Sequence, residues 1–375
     1  MTKEKLRILI AAGGTGGHVF PAIAIADETR KVNPNAEFLF VGTKGKIEAH
    51  IVPQRGYALA NIWISGFHRS FRMDNLLFPI KVVVSLVQSF FLIRKFQPNI
   101  VIGTGGYVCG PVLLIASMLG VPTIIHESNS YPGVTTRLLS TRATRIFTAF
   151  DATTRWLKRK DNVELVGTPT RDVLGTISQE HGIRFFNLDP SKKTVLIFGG
   201  SLGAASINQA VREMIHELTG AGIQFIWQTG KSDTTLVDEM KTKKNTWVGV
   251  FIDKMEYAFA AADVVVCRAG ATTLAELTRL GKAAILVPYP HAAADHQTFN
   301  ARSLVDAGAA IMITDRNVKT ALKGELISLL RENKKRQQMS EACRKLGKPN
   351  AGSVIAHRIL DLIWRSTREQ KNIQI

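Results

Sequence analysis

Leu6-Arg7-Ile8-Leu9-Ile10-Ala11-Ala12-Gly13-Gly14-Thr15-Gly16-Gly17-His18-Val19-Phe20-Pro21 sets a short apolar run directly before a glycine cluster and a segment able to form a helix. A run of this length fits a buried strand, and glycine lets the chain turn sharply where the strand ends. Pro21 is expected at the first position of the helix, continued by residues 22–26, because proline has no amide hydrogen to contribute. The unit is therefore strand, glycine turn, helix.

The same rhythm recurs along the chain. Apolar stretches at 6–11, 38–41, 100–102, 123–126, 145–148 and 163–166 form one predicted series of strands, and those at 194–198, 224–228, 248–251, 264–266 and 284–287 a second. Segments of helical spacing separate them, the pattern of βαβ units and parallel sheets. The expected fold class is α/β with two Rossmann-like domains. Residues 167–193, which include Thr168-Pro169 and Asp189-Pro190, read as the connection, with the boundary near residue 170. The expected domains are 1–169 and 170–350. A last helix at 353–366 follows Lys348-Pro349-Asn350-Ala351-Gly352, and it either caps the second domain or crosses back to the first.

At 375 residues the chain suits two cores, and 45% hydrophobic with 21% charged residues describes a globular enzyme, not a low-complexity chain. Cys109, Cys267 and Cys343 lie far apart, without a disulfide framework or zinc spacing, which points to a reducing compartment. Residues 1–7 run into the first strand without a secretory signal, so a cytoplasmic location is expected. The net charge of +18 calls for an anionic partner. Lysine and arginine are spread along the chain and no RNA-binding or zinc-finger signature accompanies them, which argues against nucleic acid.

Three predicted strands end in glycine clusters: Gly13-Gly14-Thr15-Gly16-Gly17, Gly103-Thr104-Gly105-Gly106 and Gly199-Gly200-Ser201-Leu202-Gly203. In open α/β sheets ligands bind beyond the carboxyl ends of the strands, where glycine admits a phosphate close to backbone amides. The P-loop pattern is absent, the first cluster lacks the third glycine of GxGxxG, and no carboxylate follows 38–41 where a ribose would need one. A nicotinamide dehydrogenase is therefore disfavoured. His18 stands at a helix mouth, either as a general base or as a local cap. Cys267-Arg268-Ala269-Gly270-Ala271-Thr272-Thr273-Leu274-Ala275-Glu276 turns from a strand into a helix whose amides suit a diphosphate. Glu276 is then a ribose ligand or a first-turn acid favoured by the helix dipole. Gln297, after Asp295-His296, either grips sugar hydroxyls or helps start its helix.

With these residues in hand, nearly the whole chain resembles the MurG family, the glycosyltransferases that complete the lipid-linked disaccharide precursor of bacterial peptidoglycan. The resemblance rests on Gly13 through His18, Gly103 through Tyr107, His126-Glu127 with Asn129, Gly167-Thr168-Pro169 with Arg171, Gly199-Gly200-Ser201, and Gly270-Ala271 through Glu276. It implies the GT-B fold, two Rossmann-like domains with parallel sheets facing across a cleft and a C-terminal helix returning to the first. It also implies UDP-N-acetylglucosamine as donor: Ile252 meets uracil through its backbone, Glu276 the ribose, Ser201 with Ala271, Thr272, Thr273 and Leu274 the diphosphate, and Gln297 the sugar, with Ala275 a further substrate-binding residue. Thr15, Gly16, Gly17, Asn129 and Arg171 match further donor-binding positions. Ser128, Leu202 and Ala269 depart from the family, which commonly has Gln, Gln and Ser there, so direct polar contacts from those three side chains are not expected.

The implied reaction is an inverting displacement in which the C4 hydroxyl of undecaprenyl-diphospho-N-acetylmuramoyl-pentapeptide attacks the anomeric carbon and expels UDP. His18 is the expected base, with Glu127 as the alternative. No Asp-x-Asp sequence occurs, so no carboxylate-held metal is required, and Mg²⁺ stimulation is a matter for assay. A lipid acceptor implies peripheral contact with an anionic membrane at the cytoplasmic face of the inner membrane. Arg69, Arg72, Leu76, Leu77, Phe78 and Lys81 are the expected contact residues, since basic groups beside an apolar face suit a lipid interface. The apolar stretch 82–93 is too short to span a bilayer, and residues 81–93 could equally form a core helix. A UDP-sugar epimerase of the same fold is the alternative activity and needs no lipid patch; a non-catalytic nucleotide-sugar binder needs no base at His18.

Overall fold

The computed structural model describes residues 5–66, 77–200, 202–231, 233, 235–240 and 245–373, with side chains to 365 except at 235. The chain divides into two compact units, Met1–Thr170 with Pro349–Ile375, and Arg171–Lys348.

In the first unit the order is β1 (Arg7–Ala11), α1 (Gly16–Val32), β2 (Glu37–Gly42), α2 (Glu48–Gln54), β3 (Ala58–Asn61), α3 (Phe78–Phe96), β4 (Ile100–Gly103), α4 (Cys109–Met118), β5 (Thr123–Glu127), α5 (Val134–Leu139), β6 (Arg145–Thr148) and β7 (Val163–Leu165). The second contains α6 (Gln179–Phe185), β8 (Thr194–Phe198), α7 (Ala205–Gly220), β9 (Gln224–Gln228), α8 (Thr235–Met240), β10 (Thr246–Gly249), α9 (Met255–Ala261), β11 (Val264–Cys267), α10 (Ala271–Leu280), β12 (Ala284–Leu286), α11 (His296–Val305), β13 (Ile311–Met312), α12 (Val318–Arg331) and α13 (Asn333–Leu346). The last helix, α14 (Ala351–Ile373), belongs to the first unit and packs on α1.

Both sheets are parallel. Their strand orders are β3-β2-β1-β4-β5-β6-β7 and β10-β9-β8-β11-β12-β13. Each order reverses once, between β1 and β4 and between β8 and β11, and a crevice at such a switch point is the usual ligand site of the fold.

Period-two alternation explains why both faces are covered. On β1, Ile8 and Ile10 enter a core shared with α1 and with Ile355, Ile359 and Ile363 of α14, whereas Leu9 and Ala11 enter the opposite core with Ile93, Val112 and Leu113. Burying side chains of this size is worth about 1.5–3 kcal/mol each. In the second unit, Val195 and Ile197 of β8 pack with Val211 of α7 and Leu322, Leu326 and Leu329 of α12.

Several sequence expectations need correction. Helix α1 begins at Gly16 and carries Pro21 inside it, because the first turn is built from Gly16, Gly17 and His18. Proline is tolerated there, although it cannot donate to the Gly17 carbonyl. The 248–251 strand is Thr246–Gly249 instead, and Phe251 is exposed past its end. Strands β3 and β13 were not expected from the sequence; the first is a half-exposed edge and the second has two residues. The supposed connection at 167–193 contains helix α6, which packs on α9 inside the second unit.

Helix α3 carries apolar side chains on both faces: Ile93 joins the core with Val82, Leu92 and Phe96 packed against it, and other aliphatic side chains stay outside. Its buried residues are Ser85, Ser89 and Ile93, while Val83 is 60% and Phe91 65% exposed, with Ile80 and Val87 also on the surface. The serines close their hydroxyls on Val82 O and Ser85 O, so they enter the interior without loose donors. One face of residues 81–93 thus packs on the core of the first unit, as the core-helix reading expects, while Val83, Val87 and Phe91 remain outside it. Among the described residues no helix is long and apolar enough to cross a membrane.

Candidate functional site

In the first unit the loops after β1 and β4 interlock. Gly106 has φ +89°, and a Cβ there would lie 2.3 Å from Gly13 O. Gly105 has φ +119°, and its missing Cβ leaves room for the His18 ring, which would otherwise be 2.4 Å away. Only glycine satisfies both the positive φ and the contact. Thr104 Oγ1 donates to His18 O at 2.8 Å, tying the loops a second time. Cys109 Sγ donates to Ala11 O at 3.1 Å, and burial pushes its thiol up to about 12, so it stays protonated.

His18 Nδ1 lies 3.0 Å from Gly13 O and 3.3 Å from Thr15 Oγ1. A carbonyl can only accept, so Nδ1 carries the proton and Nε2 is the ring's acceptor nitrogen. Beside it, the first-turn amides of Gly16 and Gly17 have no intrahelical acceptor. A base-capable imidazole and an anion-favouring helix mouth are thus neighbours in one loop.

Sequence reasoning missed Glu48. Its fully buried carboxylate accepts from Gly14 N at 3.0 Å, Thr43 N at 3.1 Å and Thr43 Oγ1 at 2.7 Å. It fixes the first glycine loop and takes the Gly14 amide away from any ligand. The only hint in the sequence is an acid six residues after the end of β2.

Glu127, the alternative base, has donors on both of its oxygens. Its Oε1 accepts from Asn129 N and Nδ2 at 3.0 and 3.1 Å, and its Oε2 from Gly133 N and Thr136 Oγ1 at 3.0 and 2.7 Å. These four donors engage both oxygens and shape the loop that carries Asn129. His126 is buried with its Nε2 on Gly167 O at 2.9 Å and its Nδ1 3.3 Å from Ser128 Oγ. Burial holds its pKa below the ordinary imidazole value, against the pull of Gly167 O and Glu127. Ser128, the family departure, therefore serves His126.

In the second unit, β11 runs through Arg268, Ala269 and Gly270 into α10. The amides of Ala271, Thr272 and Thr273 lie in the first turn, whereas Leu274 N bonds Gly270 O at 3.0 Å and the Leu274 side chain is buried. The expected diphosphate contacts therefore narrow to Ala271–Thr273; Leu274 and Ala275 have no free first-turn amide to offer. Gln297 Oε1 accepts from Ala269 N at 3.1 Å and Tyr289 N at 2.9 Å, which fixes this loop and leaves its amide group as the possible sugar donor. Arg268 bonds Val287 O and Pro288 O, the Asp315 carboxylate and Ser206 Oγ, tying the β11 loop to the start of α7.

Glu276 is 6% exposed and pairs with Arg171: Nε and Nη2 reach the same oxygen, Oε1, at 2.9 and 2.7 Å. Burial raises the Glu276 pKa while Arg171 opposes the rise. Two residues expected to contact the donor separately are thus joined. Ile252 N donates to Gln228 Oε1 at 2.9 Å, and Gln228 Nε2 donates to Gly200 O at 2.9 Å. The Ile252 amide is committed, so only its carbonyl can meet a base edge, and Gln228 is a second positioning residue that the sequence did not single out. Ser201, Arg69, Arg72 and Leu76 lie outside the described residues. Leu77 is exposed, Phe78 opens α3, and Lys81 donates to Ser65 Oγ at 3.0 Å with Trp63 5.8 Å away.

Comparison with known proteins fits this construction. Residues 8–148 match the glycosyltransferase family 28 N-terminal domain and residues 194–355 its C-terminal domain. The UDP-N-acetylglucosamine–N-acetylmuramyl-(pentapeptide) pyrophosphoryl-undecaprenol N-acetylglucosamine transferase of Prosthecochloris aestuarii is 43% identical over 363 residues, 95% of this chain and 99% of its own. The crystal structure of Acinetobacter baumannii MurG aligns at a TM-score of 0.76 and 28% identity, covering 96% of this chain and 99% of that one. A Neisseria meningitidis UDP-GlcNAc 2-epimerase bound to UDP-GlcNAc, at 13% identity and a TM-score of 0.66 over 95% and 100% of the two chains, shares the fold alone. With relatives of that name matched along almost its entire length, the chain belongs to the MurG family of N-acetylglucosamine transferases within glycosyltransferase family 28.

Proposed function

We propose that this protein transfers N-acetylglucosamine from UDP-N-acetylglucosamine to the C4 hydroxyl of undecaprenyl-diphospho-N-acetylmuramoyl-pentapeptide, with inversion at the anomeric carbon. The observation that carries this reading is the 43% identity over 99% of a relative that bears the name of this activity.

The site supplies chemistry suited to it. The first-turn amides of Ala271–Thr273 stabilise the negative charge that gathers on the departing UDP diphosphate. Glu276 Oε2, the oxygen opposite the Arg171 contact, takes a ribose hydroxyl, the Ile252 carbonyl meets uracil, and the Gln297 amide group meets the sugar. Asn129, Thr15, Gly16 and Gly17 supply further donor contacts. His18 Nε2 accepts the C4 hydroxyl proton as the new C–O bond forms and the bond to the diphosphate oxygen breaks. No step is assigned to a metal, and turnover with and without EDTA tests Mg²⁺ stimulation. Labelled UDP-N-acetylglucosamine given with and without the lipid-linked muramyl acceptor tests the reading as a whole. Labelled lipid product of inverted configuration, formed only with acceptor, is expected; epimerised donor without acceptor would replace the reading with the epimerase.

The acceptor's polyprenyl chain requires peripheral contact with an anionic, cytoplasm-facing membrane. The exposed Ile80, Val83, Val87 and Phe91 on α3, with Leu77, Phe78 and Lys81 at its start, support that reading, to which Arg69, Arg72 and Leu76 belong in sequence. Val83→Asp with Val87→Asp should weaken sedimentation with anionic vesicles at least tenfold; undiminished binding would remove α3 from the contact.

A further inference from the structure

A cavity of about 780 Å³ opens in the second unit at the amino-terminal edge of its sheet, where Lys193, Asp263 and Ala283 enter β8, β11 and β12. This is the edge opposite the glycine loops. Lys282 lines it, half-buried, between the left-handed Gly281 that ends α10 and the start of β12.

The backbone at this point is held firmly. Ser340 Oγ of α13 donates to Gly281 O, and a Cβ on Gly281 would lie 2.7 Å from Arg344 Nε. Lys282 Nζ donates to Ala262 O at 2.7 Å. The nearby Asp263 is already occupied, by Lys193 Nζ at 3.1 Å and Thr194 N at 2.9 Å. Burial lowers the Lys282 amine to about 8; Asp263 opposes that shift and Arg344 adds to it. Arg336 and Arg344 line the same cavity, as do Glu256 and Glu341, and Arg336 is anchored on Leu329 O and Leu330 O at 3.0 Å each.

We propose that Lys282 is a site of covalent acylation by small acyl phosphates, with the Arg336 and Arg344 guanidiniums receiving the phosphate group. The neutral amine attacks the acyl carbon, forming a C–N bond. The C–O bond to phosphate breaks, phosphate leaves with the electron pair, and the surplus amine proton passes to it or to water. The amide product retains one N–H for Ala262 O and removes a positive charge from beside Arg344. A lysine whose ammonium is desolvated by burial has nucleophilic character that surface lysines lack at neutral pH.

The test treats the full-length protein with acetyl phosphate at pH 7 and reads acetyl stoichiometry at each lysine by peptide mass spectrometry. An amine with a pKa near 8 is neutral about 10% of the time at pH 7, against roughly 0.03% for an ordinary lysine. Burial and lower intrinsic nucleophilicity reduce that advantage, so Lys282 should be modified about tenfold faster than the exposed Lys158 and Lys334. At pH 9 the preference should shrink, because the surface amines gain about 100-fold and Lys282 about tenfold. Inorganic phosphate should slow acetylation of Lys282 and leave Lys334 unchanged. Modification of Lys282 no faster than of Lys158 and Lys334 at pH 7 would overturn the proposal, and an absence of phosphate competition would overturn the role given to the two arginines.

Discussion

Both units press glycine against glycine, but at different places. In the first, Gly106 meets Gly13 and joins the loops after β1 and β4, across the point where the strand order reverses. In the second, Gly230 meets Gly203, with a Cβ on Gly230 only 2.1 Å from Gly203 N, and joins the loops after β8 and β9, one strand to the side. The first switch point is therefore filled by its own loops and by the imidazole of His18. Among the described residues no glycine contact spans the second switch point, where α10 begins without a side-chain cap. One topology thus sets an imidazole beside a helix mouth in the first unit and leaves the start of a helix clear of glycine contacts in the second, and under the proposed function the former serves proton transfer and the latter the diphosphate.

The largest effect that could break this comparison belongs to His18→Ala. It should lower the single-turnover rate by about 10²–10⁴-fold while UDP affinity, measured by calorimetry, stays within twofold. A parallel loss of UDP affinity would move His18 from proton transfer to donor binding. Next come the glycines. Gly106→Ala and Gly230→Ala each force a Cβ into backbone at positive φ and should cost about 2–4 kcal/mol in urea unfolding. In the fraction that remains folded, Gly106→Ala should reduce the rate of chemistry and Gly230→Ala the UDP affinity. Equal losses of both quantities in both variants would erase the division of labour. Gln228→Leu, which releases Ile252 N and Gly200 O together, should raise the donor KM about tenfold with a smaller change in kcat.

Acidity separates the units more gently. His126 in the first has a folded pKa below its unfolded value of about 6.5, so the native state resists a proton that the unfolded chain accepts, and stability falls as pH drops through and below that value. Lys282 in the second titrates near 8 when folded and near 10.5 when unfolded, so stability is lowest below about 8 and rises as pH climbs between the two. Scanning calorimetry should find His126→Gln blunting the acid loss and Lys282→Met blunting the alkaline gain, each by a few degrees of Tm. Unaltered pH profiles in both variants would mean that neither group controls its unit.

The sequence made the strands and glycine turns legible because their signals are local. A buried parallel strand is a short apolar run, and β1, β6, β8 and β9 stand within a residue of where such runs lie. Edges were harder: β3 is half-exposed and ends in Asn61, and β13 is too short for any periodicity. In the site, the glycines and His18 declared themselves, whereas the residues that set them did not. Glu48 reaches Gly14 across 34 positions, Gln228 reaches Ile252 across 24, and Arg171 reaches Glu276 across 105. Such bonds come from tertiary packing, which no local pattern encodes. The four donors on Glu127 are equally invisible to the sequence, because Gly133 and Thr136 reach it only through the turn of the loop after β5.

The outward Ile80, Val83, Val87 and Phe91 of α3 have a consequence for handling the protein. Water is a poor solvent for that stripe, and concentrating the pure polypeptide in plain buffer leaves each copy only another copy on which to shelter it. Bicelles or a mild surfactant should therefore raise both its solubility limit and its melting temperature, because a ligand for the native state need not be a small molecule and can equally be a sheet of lipid.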